Sequence, residues 1–321
     1  GYWNSTGIGR AVTVRKIVLE MKKHGISTLV HGATGRGNDQ MRFERYTNQF
    51  APEMTVYAPW RDAKLLEEFP GRTQMCEYLA KYDIVAFPGG KKRYSTDCNI
   101  AGLSHEAEDL ESMETAMTIV EPTMGVWPMQ APDAIESVKI KFEKGRPVAI
   151  NGVEMKPFDL LVEANKIGGR NGIGMSHALE NRIIGTKSRG VYEAPGMEML
   201  GKALRYVYQA IMDKPSTTLF EQLSRFVGVQ IYDGKYYDLS TQAAFAAIEK
   251  FADKATGEVT VGLYRGNILF QSLTGVEASL YFEEDASMEA SEGLNPVSSQ
   301  GFAEIQSVEA RSMAKAGHIK A

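Results

Sequence analysis

The sequence predicts an α/β chain in two parts. A parallel-sheet domain of the doubly wound kind, with too few strands to complete its sheet, spans residues 1–90. An α+β domain spans 91–288, and a polar tail, a candidate oligomerisation arm, spans 289–321. Three observations predict this. The length of 321 residues exceeds what one hydrophobic core usually serves. Short apolar runs alternate with helical patterns up to residue 87, and parallel strands need such crossovers. At Pro88-Gly-Gly-Lys-Lys-Arg93 that alternation breaks, and hairpin strands and long helices follow.

A helix opens the chain. Ser5 or Thr6 is placed to cap it, Val12, Val14, Ile17, Val18 and Met21 give it an apolar side, and Lys22 and Lys23 precede a terminating Gly25. Ile26 to His31 reads as a buried strand. The loop Gly32-Ala-Thr-Gly-Arg-Gly37 follows, and Asn38-Asp39 opens a second helix. Met54 to Tyr57 is a second strand, Thr73 to Tyr82 a helix and Asp83 to Phe87 a third strand. In the second part, Ser137–Phe142 and Pro147–Gly152 make a hairpin. A helix from Pro157 to Ile167 stops at Gly168-Gly169. Gly196–Met212, Thr217–Val227 and Thr241–Ala255 are helices, and Glu258–Gly266 and Ile268–Phe282 are strands. A short helix is expected over 302–316.

Composition narrows the function. A net charge of −4, from 36 basic and 40 acidic residues, gives no bias towards nucleic acid. No apolar run reaches the roughly 18 residues of a membrane span, and the first residues lack the pattern of a secretion signal. Cys76 and Cys98 cannot build a disulfide framework, so a reducing cytoplasm is the expected compartment.

Three polar clusters carry chemistry. Strand, glycine loop and helix start bring free N–H groups and a dipole end together over Gly32–Asp39, which suits an anion. The loop is neither a P-loop, because Asn38 and Asp39 follow Gly37, nor a dinucleotide fingerprint, because position 40 is Gln. Asn38 as a helix cap and Asp39 as a dipole partner are the structural alternatives. Tyr94-Ser-Thr-Asp-Cys-Asn99 and Ser104-His-Glu-Ala-Glu-Asp109 read as a turn followed by a helix capped by Ser104, or as a binding segment. Gly168–Gly174 implies close backbone approach to another segment or to a ligand. Glu180, Arg182, Lys187 and Arg189 read alone as a salt-bridged surface. Cys98 beside Asp97 is no activated nucleophile. The five histidines lie apart, so no metal site is expected.

Together and in this order, these segments resemble the argininosuccinate synthase family. The resemblance rests on Gly32-Ala-Thr-Gly-Arg-Gly-Asn-Asp-Gln-Met-Arg-Phe43, Tyr94–Asn99, Ser104–Glu111, Ile119–Gly125, Glu163–Arg170 and Glu180–Gly196, and it runs from Tyr2 to about Gly275. The Tyr94-Ser-Thr-Asp97 and Ser104–Glu111 versions are similar to the longer bacterial branch. The resemblance implies an adenine nucleotide α-hydrolase-like domain joined to a synthetase domain, in a homotetramer. It implies ligation of citrulline and aspartate at the expense of ATP, whose Mg²⁺ the nucleotide carries, through a citrullyl-adenylate. That chemistry needs positioning and charge stabilisation and no covalent nucleophile.

Residue by residue, the resemblance puts Tyr2, Arg42, Ser95, Ser104, Glu106, Glu180 and Tyr192 on citrulline. Gly32 and Asp97 fall to the nucleotide, and Thr34 lies between ATP and aspartate. Asn38 and Asp39 position aspartate; Asn38 also reaches citrulline, and Asp39 also touches the nucleotide. Thr34, Asn38 and Asp39 are thus the expected catalytic set. Ser104 stands where the branch often has Thr, and Gly7 where other branches carry a serine. A Ser-Gly-Gly-Leu-Asp-Thr-Ser type pyrophosphate loop is absent from the sequence. An N-terminally truncated chain is therefore expected, with an uncovered strand edge and exposed apolar surface near Ile26–His31. A non-catalytic binding module of the same fold is the alternative reading. A tRNA-thiolating relative is disfavoured by the charge and the cysteines.

Overall fold

The computed structural model describes residues 1–85, 93–288 and 295–318. Helix α1 (Thr6–Lys23) buries Gly7, Ala11, Val14, Val18 and Met21, one residue per turn along one stripe. Strand β1 (Thr28–Val30), helix α2 (Asp39–Phe50) and strand β2 (Thr55–Tyr57) follow. β1 and β2 pair in parallel, Leu29 opposite Val56, with α2 as the crossover. α1 and α2 pack on this pair around Val14, Val18, Leu29, Tyr46 and Met54. The pair has no third strand among the described residues, and the segment expected to be a buried strand buries only Leu29 and His31, while Ile26 and Val30 are exposed.

Helices α3 (Ala63–Glu68) and α4 (Arg72–Ala80) complete the N-terminal part. The third strand expected at Asp83–Phe87 is not formed over 83–85. Asp83 takes a left-handed backbone (φ 58°), and the Ile84 N–H bonds the Leu79 carbonyl, so α4 ends in a tight turn. Ala86 and Phe87 lie outside the described residues.

The second part holds two antiparallel sheets. One is built from β3 (Ser95–Asn99) and β4 (Gly102–Glu106), later joined by β8 (Met175–Asn181) and β9 (Lys187–Glu193), in the order β3-β4-β9-β8. The turn and the Ser104-capped helix expected here are thus strands. The other comprises β5 (Glu136–Glu143), β6 (Arg146–Ile150) and β7 (Val153–Glu154) with β10 (Gly257–Tyr264) and β11 (Asn267–Thr274). Helices α5 (Pro157–Arg170) and α6 (Pro195–Ile211) lie on it, and Val138, Ile140, Phe142, Leu160, Ile167, Met199, Val259 and Leu263 form the largest core.

Two boundaries differ from expectation. α5 runs through Gly168 and Gly169, and β11 ends at Thr274 because Gly275 turns left-handed (φ 67°). The expected hairpin is β5–β6, and α7 (Lys214–Tyr232) and α8 (Leu239–Ala252) are two further long helices. α7 packs back against α1. A Cβ on Gly7 would stand 2.8 Å from the Ile231 carbonyl of α7, which accounts for the missing side chain there. A short α9 (Glu283–Ala286) and α10 (Ser298–Lys315) follow; α10 starts four residues before the helix expected over 302–316 and buries no residue. Among the described residues no helix is long and apolar enough to cross a membrane.

The glycines at 168–174 serve a neighbouring segment. A Cβ on Gly169 would fall 2.2 Å from the Met124 carbonyl, and one on Gly174 2.6 Å from Ala194. None of them borders the cleft described next.

Candidate functional site

A cleft of about 300 Å³ opens between the two parts. On one side the glycine loop and the start of α2 supply Gly32, Thr34, Asn38, Asp39 and Arg42. On the other stands one face of the β3-β4-β9-β8 sheet. Its register puts Ser95 opposite Glu106, Asp97 opposite Ser104, and Ser104 opposite Tyr192. Glu180 pairs with Ser188, two places along from Gly190 on the same face. So Ser95, Asp97, Ser104, Glu106, Glu180 and Tyr192 share a face because of strand alternation, although up to 97 positions separate them. All of the residues singled out from the sequence border this cleft except Tyr2. Tyr2 joins through its hydroxyl, which donates to Glu180 Oε2 at 2.5 Å.

Glu180 is buried and accepts from Tyr2, from Asn4 Nδ2 (3.4 Å) and, at Oε1, from Tyr192 (2.6 Å). It is no member of a salt-bridged surface. Lys187 bonds Asn181, Arg182 bonds the Arg36 carbonyl, and Arg189 donates to the Leu110, Ser112 and Thr115 carbonyls. Burial and the Glu180 carboxylate both push the Tyr192 hydroxyl far above the usual phenol range, so it stays a donor. Tyr192 lies over Gly190, where a Cβ would meet the ring at 2.8 Å.

Asn38 starts α2 without capping it. Its Nδ2 donates to the Tyr232 hydroxyl (2.7 Å) and its Oδ1 accepts the Ile183 N–H (2.8 Å), so the side chain bridges the two parts. Burial, with Glu180 nearby, raises the Tyr232 hydroxyl to about 12. Arg42 is 2% exposed and donates to the Tyr232 carbonyl (2.9 and 2.8 Å) and to Asp39 Oδ1 (3.0 Å). Arg10, on α1, donates twice to Asp39 Oδ2 (3.0 and 2.8 Å) and again to Asp97. Asp39 is therefore gripped by two arginines, a tighter role than a dipole partner.

The Glu106 carboxylate forms no hydrogen bond or ion pair among the described residues. Burial pushes its carboxyl above the usual range; Arg182 pulls it down, while Glu180, Asp39 and Asp97 push it further up. The next residue, Ala107, borders the cleft with φ 70° and ψ 177°, a conformation that costs a side-chain-bearing residue about 1–3 kcal/mol.

Behind the sheet runs a second row. Thr96 Oγ1 contacts His105 Nδ1 (3.0 Å), and His105 Nε2 meets Glu193 Oε1 (2.7 Å). Glu193 also accepts the N–H groups of Thr123 (2.9 and 3.0 Å) and Met124 (2.7 Å). Thr96 sits between Ser95 and Asp97, His105 between Ser104 and Glu106, and Glu193 beside Tyr192. The rear row thus fixes the pleat that aims the front one.

The sequence reading passed over Arg10, Gln40, Arg72 and the part of Arg182 that faces the cleft. Arg10 had one legible sign: it lies one turn from Thr6, off the apolar stripe of α1. Cys98 is exposed and outside the cleft. Among the described residues no cluster of His, Cys, Asp and Glu is placed to hold a metal ion.

Comparison with known families bears on this geometry. Residues 1–85 match the family model described as the arginosuccinate synthase N-terminal HUP domain, a nucleotide-binding fold. Residues 94–313 match the arginosuccinate synthase C-terminal domain. The two matches meet at the cleft, one supplying the glycine loop and the other the polar sheet face, and the chain belongs to the argininosuccinate synthase family of ligases of arginine biosynthesis.

Proposed function

We propose that this cleft joins citrulline to aspartate at the expense of ATP, through a citrullyl-adenylate, releasing pyrophosphate and AMP. The observation that carries the reading is the single cavity bordered by Thr34, Asn38 and Asp39 from one domain and Ser95, Asp97, Ser104, Glu106, Glu180 and Tyr192 from the other.

In the first step the ureido oxygen of citrulline attacks the α-phosphate of ATP. Glu106, a carboxylate without a partner, accepts from the amino or ureido N–H groups, and Glu180, held by Tyr2 and Tyr192, accepts beside it. Ser95 and Ser104 supply hydroxyls from the same sheet face, and Arg42 stands at the floor. The nucleotide lies along Gly32, Thr34, Asp39 and Asp97 and brings its own Mg²⁺. The α2 N-terminus and the cleft-facing Arg72 and Arg182, neither in an ion pair among the described residues, suit its anionic groups. In the second step the aspartate amine, placed by Thr34, Asn38 and Asp39, attacks the activated ureido carbon and AMP leaves. These groups act by orientation and charge, within the range of effects that positioning supplies. We also propose a homotetramer, supported by the apolar stripe Phe302, Ile305 and Val308 that α10 leaves exposed, and a cytoplasmic location, supported by the free thiols Cys76 and Cys98.

The test follows the oxygen. Citrulline labelled with ¹⁸O in its ureido group is incubated with ATP, aspartate and the purified chain. Label in the AMP, with argininosuccinate formed, is the expected result. Binding of citrulline and aspartate without turnover would assign the chain to the binding-module reading, and no binding of either would overturn both.

A further inference from the structure

We propose that the space over Gly37, between Thr34 Oγ1 and Gln40 Oε1, is the seat of the attacking amine, which makes Gln40 a further substrate-binding residue. The inference deepens the functional reading above and rests on it. Gln40 lies in the first turn of α2, is 3% exposed and borders the cleft. Its Oε1 is buried with no hydrogen-bond partner, one of three such side-chain atoms among the described residues. A buried acceptor left unpaired is costly, and proteins retain one where something absent from the folded chain supplies the donor.

The geometry says which donor. A Cβ built on Gly37 would lie 3.6 Å from Thr34 Oγ1 and 3.7 Å from Gln40 Oε1, and chain neighbours aside it would meet nothing else within 4 Å. The backbone there is not left-handed, so the glycine is not required by its dihedrals. The seat therefore has room for one small group and is walled by two oxygens. A carboxylate or phosphate oxygen would face an amide acceptor there, whereas an amine donates to both walls. Two neutral oxygens also hold an amine without demanding that it stay protonated, which suits a nucleophile. Asp39, the preceding residue, adds a carboxylate to the same cleft.

The test compares aspartate with succinate, the same dicarboxylate without the amine, by calorimetry on the 321-residue chain. Gln40→Leu keeps bulk and removes the acceptor, and Gly37→Ala fills the seat. Each variant should lose at least tenfold of the preference for aspartate over succinate, with citrulline affinity within twofold of wild type. Gln40→Leu should melt at or above the wild-type temperature, because an unpaired buried atom has gone. A preference kept within twofold in both variants overturns the seat. A lowered melting temperature with the preference intact makes Gln40 a packing residue. If the wild-type chain binds no aspartate, the functional reading fails first and the seat with it.

Discussion

Gly190→Ala probes how the sheet aims Tyr192. The new methyl would stand 2.8 Å from Tyr192 Cε2 and Oη and 2.9 Å from Cζ, where ordinary contact needs about 3.5–4 Å. The ring must retreat by roughly 1 Å. It is 3% exposed and has the Tyr2 ring at 4.7 Å, so little free space receives it. Retreat also stretches the 2.6 Å hydrogen bond to Glu180. Overpacking costs about 1–3 kcal/mol, and a hydrogen bond to a carboxylate contributes about 1.5–3 kcal/mol, so the loss should be about 3 kcal/mol. Urea unfolding gives the stability and calorimetry the citrulline affinity, which should fall at least about tenfold. In a Tyr192→Ala background the clash is gone, and the same substitution should cost under about 0.5 kcal/mol. Equal costs in the two backgrounds would refute the steric account of Gly190.

Three further substitutions test the charges. Glu106→Gln should raise the melting temperature at neutral pH while abolishing citrulline binding. The folded-state pKa of Glu106 lies above its unfolded value, so the folded state holds the proton longer and wild-type stability falls as pH rises through that window. The gain over wild type should therefore vanish below the ordinary carboxylate range, and a gain that persists there would contradict the desolvation account. Arg10→Lys should cost about 1–2 kcal/mol in urea and raise KM for aspartate, since one ammonium cannot repeat the fork on Asp39 and still reach Asp97; an unchanged KM would free Arg10 from that role. Glu193→Gln should cost about 3–5 kcal/mol, because an amide has one acceptor where His105, Thr123 and Met124 offer several donors, and a loss under about 1 kcal/mol would show that the rear row is slack.

Much of the N-terminal part was legible in the sequence. The strand–glycine–helix order of β1 and α2 is a local pattern that the structure repeats, whereas of the apolar side expected for α1 it buries Val14, Val18 and Met21 and leaves Val12 and Ile17 exposed, with Gly7 and Ala11 completing the stripe. β3, β4, β8 and β9 were not legible. A half-buried strand is read from alternating apolar residues. In β3 and β4 the face that would carry them carries Ser95, Asp97, Ser104 and Glu106, and the face behind carries Thr96 and His105 beside Leu103. A strand whose buried face is a ligand surface looks like a turn. The glycines at 168–174 left two readings open, because close approach to a backbone and to a ligand select the same residue. The glycine loop was legible as an anion site from its local order, but the union of the loops into one site was legible only through family resemblance; nothing local joins Asp97 to Glu180.

The way charge is distributed separates what the fold uses from what it leaves for a ligand. Asp39, Asp97, Glu106 and Glu180 all border one cleft, an arrangement that repels itself unless each is answered. Arg10 answers Asp39 and Asp97 together, across the boundary between the two domains, and Arg42 answers Asp39 again. Two tyrosines answer Glu180. The Glu106 side chain is left without a hydrogen bond, and neither Arg72 nor Arg182, which gives one hydrogen bond to the Arg36 carbonyl, is in an ion pair among the described residues. An acceptor and two cations outside any ion pair suit the ammonium of an amino acid together with the anionic groups of a nucleotide. Because Arg10 ties α1 to β3, a ligand that moved Asp97 would move the glycine loop as well. Binding on the sheet face and binding on the loop face are therefore coupled through that one guanidinium, and the affinities for citrulline and for nucleotide should fall together when it is removed.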